Sequence, residues 1–436
     1  MFGWEFPPYS NGGLGTACYG LTKGLSRKGI DVTFVIPKAP GVPDRSHVKL
    51  LPARNVTLEQ MKGVSFKYAE SLIGPYMTPG EYYEMLRRHQ SRLKINPSDA
   101  PVSMYGSDLF EEVARYAEKA RLIALHTDFD IIHAHDWLTY KAGIAAKQVS
   151  GKPLVVHVHA TDFDRTGGHP YQPVYDIERE GMHAADKIIA VSNYTKQMIV
   201  KHYAVPPEKV EVVHNAVDLE AHSSQPMSSS DAFRDASPTD ESSASPDSGG
   251  PTKPGDKIVL FLGRLTLQKG PDYFLYAAKK VLEHQPNVKF MIAGSGDMER
   301  FVLEKAAELG ISQNILYAGY LRGEDVNRAY QMADLYVMPS VSEPFGIAPL
   351  EALKNNTPVL ISKQSGVSEV LTHCLKVDFW DVEEMANKML AVLKYDPLKE
   401  SLREHGSEEV KKFSWDEAAA RCIGVYSSVL NYNGVG

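Results

Sequence analysis

The chain has 436 residues, 43% hydrophobic and 23% charged, the make-up of a globular protein with two domains of ordinary size. A formal net charge of −7 argues against nucleic acid as the main partner. Three scattered cysteines, Cys18, Cys374 and Cys422, point to a reducing compartment without a disulfide framework. No apolar run reaches the ~18 residues of a membrane span, and no basic-then-apolar leader opens the chain, so a cytoplasmic location is expected.

Met1-Phe-Gly-Trp4 reads as the end of a first strand, and whether the N-terminus is truncated is left open. From there to about residue 220, short apolar strands alternate with amphipathic helices. Strands are predicted over 31–36, 131–135, 154–159, 187–192 and 210–213. Helices are predicted over 14–28, 109–126, 139–149 and 194–202. Runs such as Leu154-Val-Val-His-Val158 have the β-branched character of buried parallel strands. Residues 60–105 fit the alternation poorly and carry Tyr68, Tyr76, Tyr82, Tyr83 and Tyr105. They read as a loop-rich insert whose tyrosines pack or stack on sugar rings.

Residues 222–255 are Ser- and Pro-rich and too polar to bury a core, which predicts a disordered linker. The alternation then restarts. Strands are predicted over 258–263, 288–293, 335–338 and 358–361, and helices over 271–283, 297–309, 324–332, 347–354 and 382–393. The expected organisation is therefore α/β, with doubly wound domains over 1–221 and 256–413, the linker between them and a last helix over 414–436. Both halves begin with strand, loop, helix and strand, which suggests two domains facing across a cleft.

The most informative string is Ser340-Val-Ser-Glu-Pro-Phe-Gly-Ile-Ala-Pro-Leu-Glu-Ala352. It sets Glu343 in a loop at a strand's carboxyl end and Glu351 about two turns into the following helix. Each carboxylate can hold one end of an elongated ligand. The backbone N–H groups of Phe345, Gly346 and Ile347 can meet a phosphate between them. Two glutamates eight apart are commonly a solvated helix face; the whole string is far more specific. Gly263-Arg-Leu-Thr-Leu-Gln-Lys-Gly270 presents Arg264 and Lys269 together at another strand end, where two cations can clamp a diphosphate. Asn11-Gly-Gly-Leu-Gly15, with Gly12, Gly13 and Gly15, opens a helix and is by itself weak evidence for phosphate binding.

His157 and His159 alternate on one strand and leave three readings open. They can bind a metal, as in metal-dependent hydrolases. Asp162 and Asp164 nearby can hold a divalent ion, as in single-domain GT-A glycosyltransferases. Or one histidine hydrogen-bonds a sugar hydroxyl. His133 and His135 form a second pair, next to Asp136 and Trp137.

Taken jointly, these motifs resemble the retaining GT-B glycosyltransferases, in particular bacterial glycogen synthases and their relatives in glycosyltransferase families 4 and 5. The resemblance covers nearly the whole chain apart from the linker. It implies two Rossmann-like domains, the first on the acceptor side and the second holding the donor, with the final helix after Phe413-Ser-Trp415 crossing back. It makes Gly12–Gly15 a donor-phosphate and acceptor loop, and His135, Asp136 and Trp137 the family's His-Asp-Trp on the acceptor side. His159 resembles the active-site histidine, Arg264 and Lys269 the diphosphate clamp, and Gly294-Ser-Gly-Asp297 the Gly-x-Gly-Asp turn. Glu343 resembles the glutamate that grips the transferred sugar and Glu351 the one on the ribose hydroxyls. Many family 5 members lack the second glutamate, so this chain looks closer to family 4. The implied reaction moves glucose from ADP-glucose or UDP-glucose to an α-1,4-glucan, with no metal and no other cofactor. Family 4 transfer in surface polysaccharide, sucrose or trehalose synthesis is the nearest alternative. A silent sugar-nucleotide sensor and a metal-dependent hydrolase stand further off. The donor base and the oligomeric state are left open.

Overall fold

The computed structural model describes residues 1–7, 12–37, 47–53, 107–219 and 256–432. Asn11, the tyrosine-bearing 60–105 segment and the 222–255 linker lie outside the described residues. The chain divides into two compact units. One comprises Met1–Phe163, Gly168–Asn215 and Trp415–Gly436, the other Asp164–Gly167 and Ala216–Ser414. Among the described residues no helix is long and apolar enough to cross a membrane.

The elements up to residue 215 run α1 (Gly13–Arg27), β1 (Thr33–Ile36), β2 (Lys49–Pro52), α2 (Ser107–His126), β3 (Ile132–His135), α3 (Trp137–Ser150), β4 (Leu154–Val158), α4 (Asp162–Arg165), α5 (Gln172–Ala184), β5 (Lys187–Ala190), α6 (Asn193–Tyr203) and β6 (Val210–Val212). Strands β3-β4-β5-β6 pair in that order, β1 pairs with β2, and every pairing is parallel. Phe2 joins the two sets by bridging Val35 on one side and Ala134 on the other. Its N–H donates to the His133 carbonyl at 2.8 Å, and its own carbonyl accepts from His135 N–H at 3.0 Å. The expected first strand is thus a single bridged residue. Counted from it, the order is third, second, first, fourth, fifth, sixth, seventh, the doubly wound order of a Rossmann-like domain. Val155, Val156, Ile188 and Ile189 are fully buried between the helical layers. Each such side chain contributes about 1.5–3 kcal/mol.

From residue 256 the elements are β7 (Ile258–Leu262), α7 (Pro271–His284), β8 (Lys289–Ala293), α8 (Glu299–Glu308), β9 (Ile315–Gly319), α9 (Glu324–Met332), β10 (Leu335–Met338), α10 (Ala348–Lys354), β11 (Val359–Ser362), β12 (Leu375–Val377), α11 (Val382–Lys394), α12 (Asp396–Val410) and α13 (Trp415–Tyr432). The six strands are parallel in the order β12-β11-β10-β7-β8-β9, again doubly wound, with the switch point between β7 and β10. Helix α13 belongs to the first unit and packs along α1. A Cβ on Gly20 would stand 2.1 Å from the Trp415 ring, and one on Gly24 2.4 Å from the Trp415 carbonyl. Two glycines one turn apart therefore cut the groove that seats this helix.

Six of the described elements go beyond the sequence expectation: β2, the single-turn α4, α5, β9, β12 and α12. The strands are short, and no residue of β9 is fully buried, so no continuous apolar run announces them. Helix α5 buries Val174, Ile177 and Met182 at helical spacing, but Pro173 and Gly181 interrupt its pattern. In α12 only Gly406, Glu409 and Val410 are buried, too few to show a period.

Candidate active site

In the second unit the loops after β7 and β10 leave from neighbouring strands at the switch point, where α/β sheets present ligand sites. The loop after β7 holds Gly263 and the exposed Arg264, and makes one 3₁₀ turn over Leu267–Lys269. It is tied to the loop after β10 twice. Gln268 is buried and donates through Nε2 to the Ser342 carbonyl at 3.0 Å, and Val341 N–H donates to the Gln268 carbonyl at 2.9 Å. This register brings Lys269 Nζ into an ion pair with Glu343, 74 residues away. Ser340 Oγ also donates to Glu343, at 3.3 Å, and Glu343 is only 7% exposed. The cation expected on the diphosphate and the carboxylate expected on the sugar thus touch directly. Arg264 reaches Gln268 Oε1 at 3.4 Å on the same loop.

Gly294 closes this region. Its φ is 145°, and a Cβ there would lie 1.8 Å from the Gly263 carbonyl oxygen. Its N–H donates to the Gly319 carbonyl at 2.7 Å, and Leu265 N–H donates to Ser295 O at 2.9 Å. Only glycine lets these two loops approach so closely.

Glu351 lies in the first turn of α10, which begins at Ala348, and not two turns in. The correction has a local cause. Phe345 and Gly346 run on as non-helical chain, Gly346 with φ 99°, and Ile347 is the N-cap. Phe345 is a core side chain, 2% exposed, and its carbonyl accepts from Val367 N–H at 2.7 Å. Its ring is therefore closed to a donor. Tyr330 Oη donates to Glu351 Oε2 at 3.2 Å. Burial pushes the Glu351 carboxyl above its ordinary value, and the Tyr330 hydrogen bond opposes this in part. A raised carboxyl pKa means that the folded state binds this proton more tightly than the unfolded state. Its charge therefore costs stability as pH rises above the ordinary carboxylate range. Glu351→Gln is expected to melt higher than wild type at pH 7, with a gain that shrinks as the pH is lowered. Equal melting at pH 7 would show that the carboxylate carries no such burden.

In the first unit α1 opens at Gly13 with Gly12 as its N-cap and has no acidic residue in its first turn, so its free N–H groups suit an anion. Gly12 and Gly13 are exposed and Gly15 is buried. A Cβ on Gly12 would stand 2.6 Å from Glu5 Oε2, so the loop lies directly on a buried carboxylate.

His133 and His135 on β3 meet His157 on β4 and His159 just beyond it. His135 and His157 are direct partners in the ladder, which puts all four rings on one face. Adjacent ring centroids lie 4.3 Å apart for His133 and His135 and 4.2 Å for His157 and His159. His135 Nδ1 faces His159 Nε2 at 3.0 Å, and His133 Nδ1 meets Tyr426 Oη on α13 at 2.6 Å. Burial lowers the pKa of all four imidazoles; for His159 the nearby Asp136 carboxylate opposes the shift. They are neutral at pH 7. Asp136 takes φ 59°, a strained conformation for a non-glycine residue, and its Oδ1 accepts from His159 N–H at 2.7 Å. It therefore sets the backbone that carries His159. Trp137 is 1% exposed and belongs to the core, so its indole does not offer a face to an acceptor. His135 and Asp136 are equally buried; of this group His159 alone is partly open. Asp162 accepts from Tyr171 N–H at 2.6 Å, and neither it nor Asp164 belongs to a group of metal-ligating side chains among the described residues. The four-ring stack was foreshadowed only by two His-x-His pairs, whose shared face required the strand register.

Residues 11–221 match the family model described as Glycosyltransferase Family 4, and residues 247–409 match Glycosyl transferases group 1. The chain is a GT-B glycosyltransferase. An uncharacterised glycosyltransferase of Methanocaldococcus jannaschii is 27% identical to it over 448 residues, covering 100% of this chain and 99% of that protein. The D-inositol 3-phosphate glycosyltransferase of Mycolicibacterium smegmatis is 28% identical over 319 residues, 70% of this chain and 68% of that protein. Among solved structures, sucrose-phosphate synthase from Thermosynechococcus elongatus superposes with a TM-score of 0.72 at 17% identity, covering 98% of this chain and 96% of the other. Anabaena HepE in complex with UDP-glucose gives 0.65 at 16%, with 98% and 99% covered. At these identities the two structures bear on the fold of the glycosyltransferase alone.

Proposed function

We propose that this glycosyltransferase moves glucose from ADP-glucose or UDP-glucose, with retention of configuration, to the non-reducing end of an α-1,4-glucan. The observation that carries the reading is the Lys269–Glu343 pair beside Arg264 at the switch point of the second sheet. A cation beside a carboxylate suits a ligand that is anionic at one end and hydroxyl-rich at the other. Arg264 and Lys269 stabilise the negative charge that develops on the departing diphosphate. Glu343 accepts hydrogen bonds from the sugar, and Glu351 from the ribose. His159, neutral and partly open, hydrogen-bonds a sugar hydroxyl. The C1–oxygen bond to the diphosphate breaks as the acceptor oxygen bonds to C1 on the same face. The acceptor proton passes to the leaving phosphate. The UDP-glucose bound by Anabaena HepE supports a nucleotide-sugar donor. The D-inositol 3-phosphate glycosyltransferase among its relatives favours a second reading, transfer to a small acceptor.

The test pairs each donor with maltooligosaccharides, glycogen and small phosphorylated acceptors, and reads nucleotide release and product linkage. New α-1,4 bonds support the glucan reading. Glycosylation of a small or lipid-linked acceptor, with no elongation from either donor, overturns it. Two fixed cations do the work of a bound ion at the diphosphate, so EDTA is expected to leave the rate unchanged. Loss in EDTA with recovery in manganese would contradict this.

A further inference from the structure

The proposed transfer uses only one of the four stacked imidazoles, His159. Two overlapping sets of side chains there bring ligand atoms within 4.8 Å of one another: Cys18, His135 and His159, and His133, His135 and His157. The second set is three neutral rings lying face to face, with His133 and His157 5.3 Å apart and 12° from parallel. Parallel rings aim their lone pairs side by side and not at one point. All three rings are also buried, so none offers an incoming ion an exposed ligand.

The first set differs in both respects. His135 Nδ1 and His159 Nε2 face each other at 3.0 Å from rings tilted by 32°. Two nitrogens on a tetrahedral zinc, with bonds of ~2.1 Å, stand ~3.4 Å apart, so the pair needs to open by only a few tenths of an ångström. Cys18 is a free cysteine, 0% exposed, on the buried face of α1. Burial, and then the Asp136 and Glu5 carboxylates, push its thiol pKa up, so the sulfur keeps its proton until a metal displaces it. A hydrogen bond between the two imidazoles accounts for one nitrogen of each. An ion held by these two nitrogens replaces that bond.

We propose that Cys18, His135 and His159 form a binding site for a single zinc ion. A thiolate and two imidazoles are donors that zinc favours, and three protein ligands leave a fourth position for water. His159 is only partly buried and gives the ion its entry. The thiol proton is released to solvent as the sulfur binds. A filled site also withdraws His159 from the sugar, so zinc switches transfer off; this consequence rests on the function proposed above.

The full chain, freed of metal, is titrated with Co²⁺ as a spectroscopic stand-in and separately loaded with Zn²⁺ and desalted. Wild type is expected to show a thiolate-to-cobalt charge-transfer band and to retain one zinc per chain. Cys18→Ala loses both while keeping its metal-free turnover, and Cys18→Ser serves if the alanine variant does not fold. No band in wild type, or an equal band in a folded Cys18 variant, overturns the site. One equivalent of zinc is expected to slow wild-type transfer by ~10-fold or more and to spare Cys18→Ala. A cobalt band with undiminished turnover in zinc would refute the switch and leave the site standing.

Discussion

Lys269→Ala is expected to lower kcat by roughly 10²-fold or more, the scale seen when a group that stabilises developing charge is removed. The structure gives this residue no substitute. Arg264 is exposed and engages Gln268 on its own loop, whereas Lys269 is held by the pair with Glu343. Removing the ammonium leaves Glu343 with the Ser340 hydroxyl at 3.3 Å as its remaining side-chain donor among the contacts described. The carboxylate that should grip the sugar is then free to turn away, which compounds the loss. Steady-state kinetics with a saturating acceptor, beside a thermal melt, separate the chemical effect from a folding one. A folded Lys269→Ala enzyme within twofold of wild type would remove Lys269 from the site.

Gly294→Ala is expected to cost about 3 kcal/mol of stability, the upper end for a single backbone position held in a region that excludes side chains. Two penalties coincide. A φ of 145° disfavours any Cβ, and the Cβ would meet the Gly263 carbonyl oxygen at 1.8 Å. That neighbour is backbone and cannot rotate aside. Both loops would have to part, breaking the Gly294 N–H bond to Gly319. For a unit of this size the melting temperature should fall by roughly 10 °C. Gly424 in α13 is the control. A Cβ there meets nothing within 4 Å, so Gly424→Ala should gain about 0.5–1 kcal/mol from helix propensity. Equal melting of Gly294→Ala and wild type would show that the loops yield easily.

Much of the architecture could be read along the chain because its signals are local. β-branched runs such as Leu154–Val158 must be buried on both faces, and amphipathic stretches such as Glu324–Met332 show their period within a few turns. Glycines, cations and carboxylates clustered after those runs marked the loops at the strand ends. That local pattern determined two doubly wound domains and named Arg264, Lys269, Glu343, Glu351 and His159 as candidates. Strand order and register decided the rest, because they join residues with no relation along the chain. The pairing of β7 with β10 put Lys269 on Glu343 across 74 residues. The pairing of His135 with His157 turned two separate His-x-His motifs into one buried stack. Packing buried the rings of Trp137 and Phe345 in the core, and started α10 late enough to place Glu351 in its first turn. A sequence shows which side chains are apolar or charged; which of them share a face depends on free energy gained only once the sheets have closed.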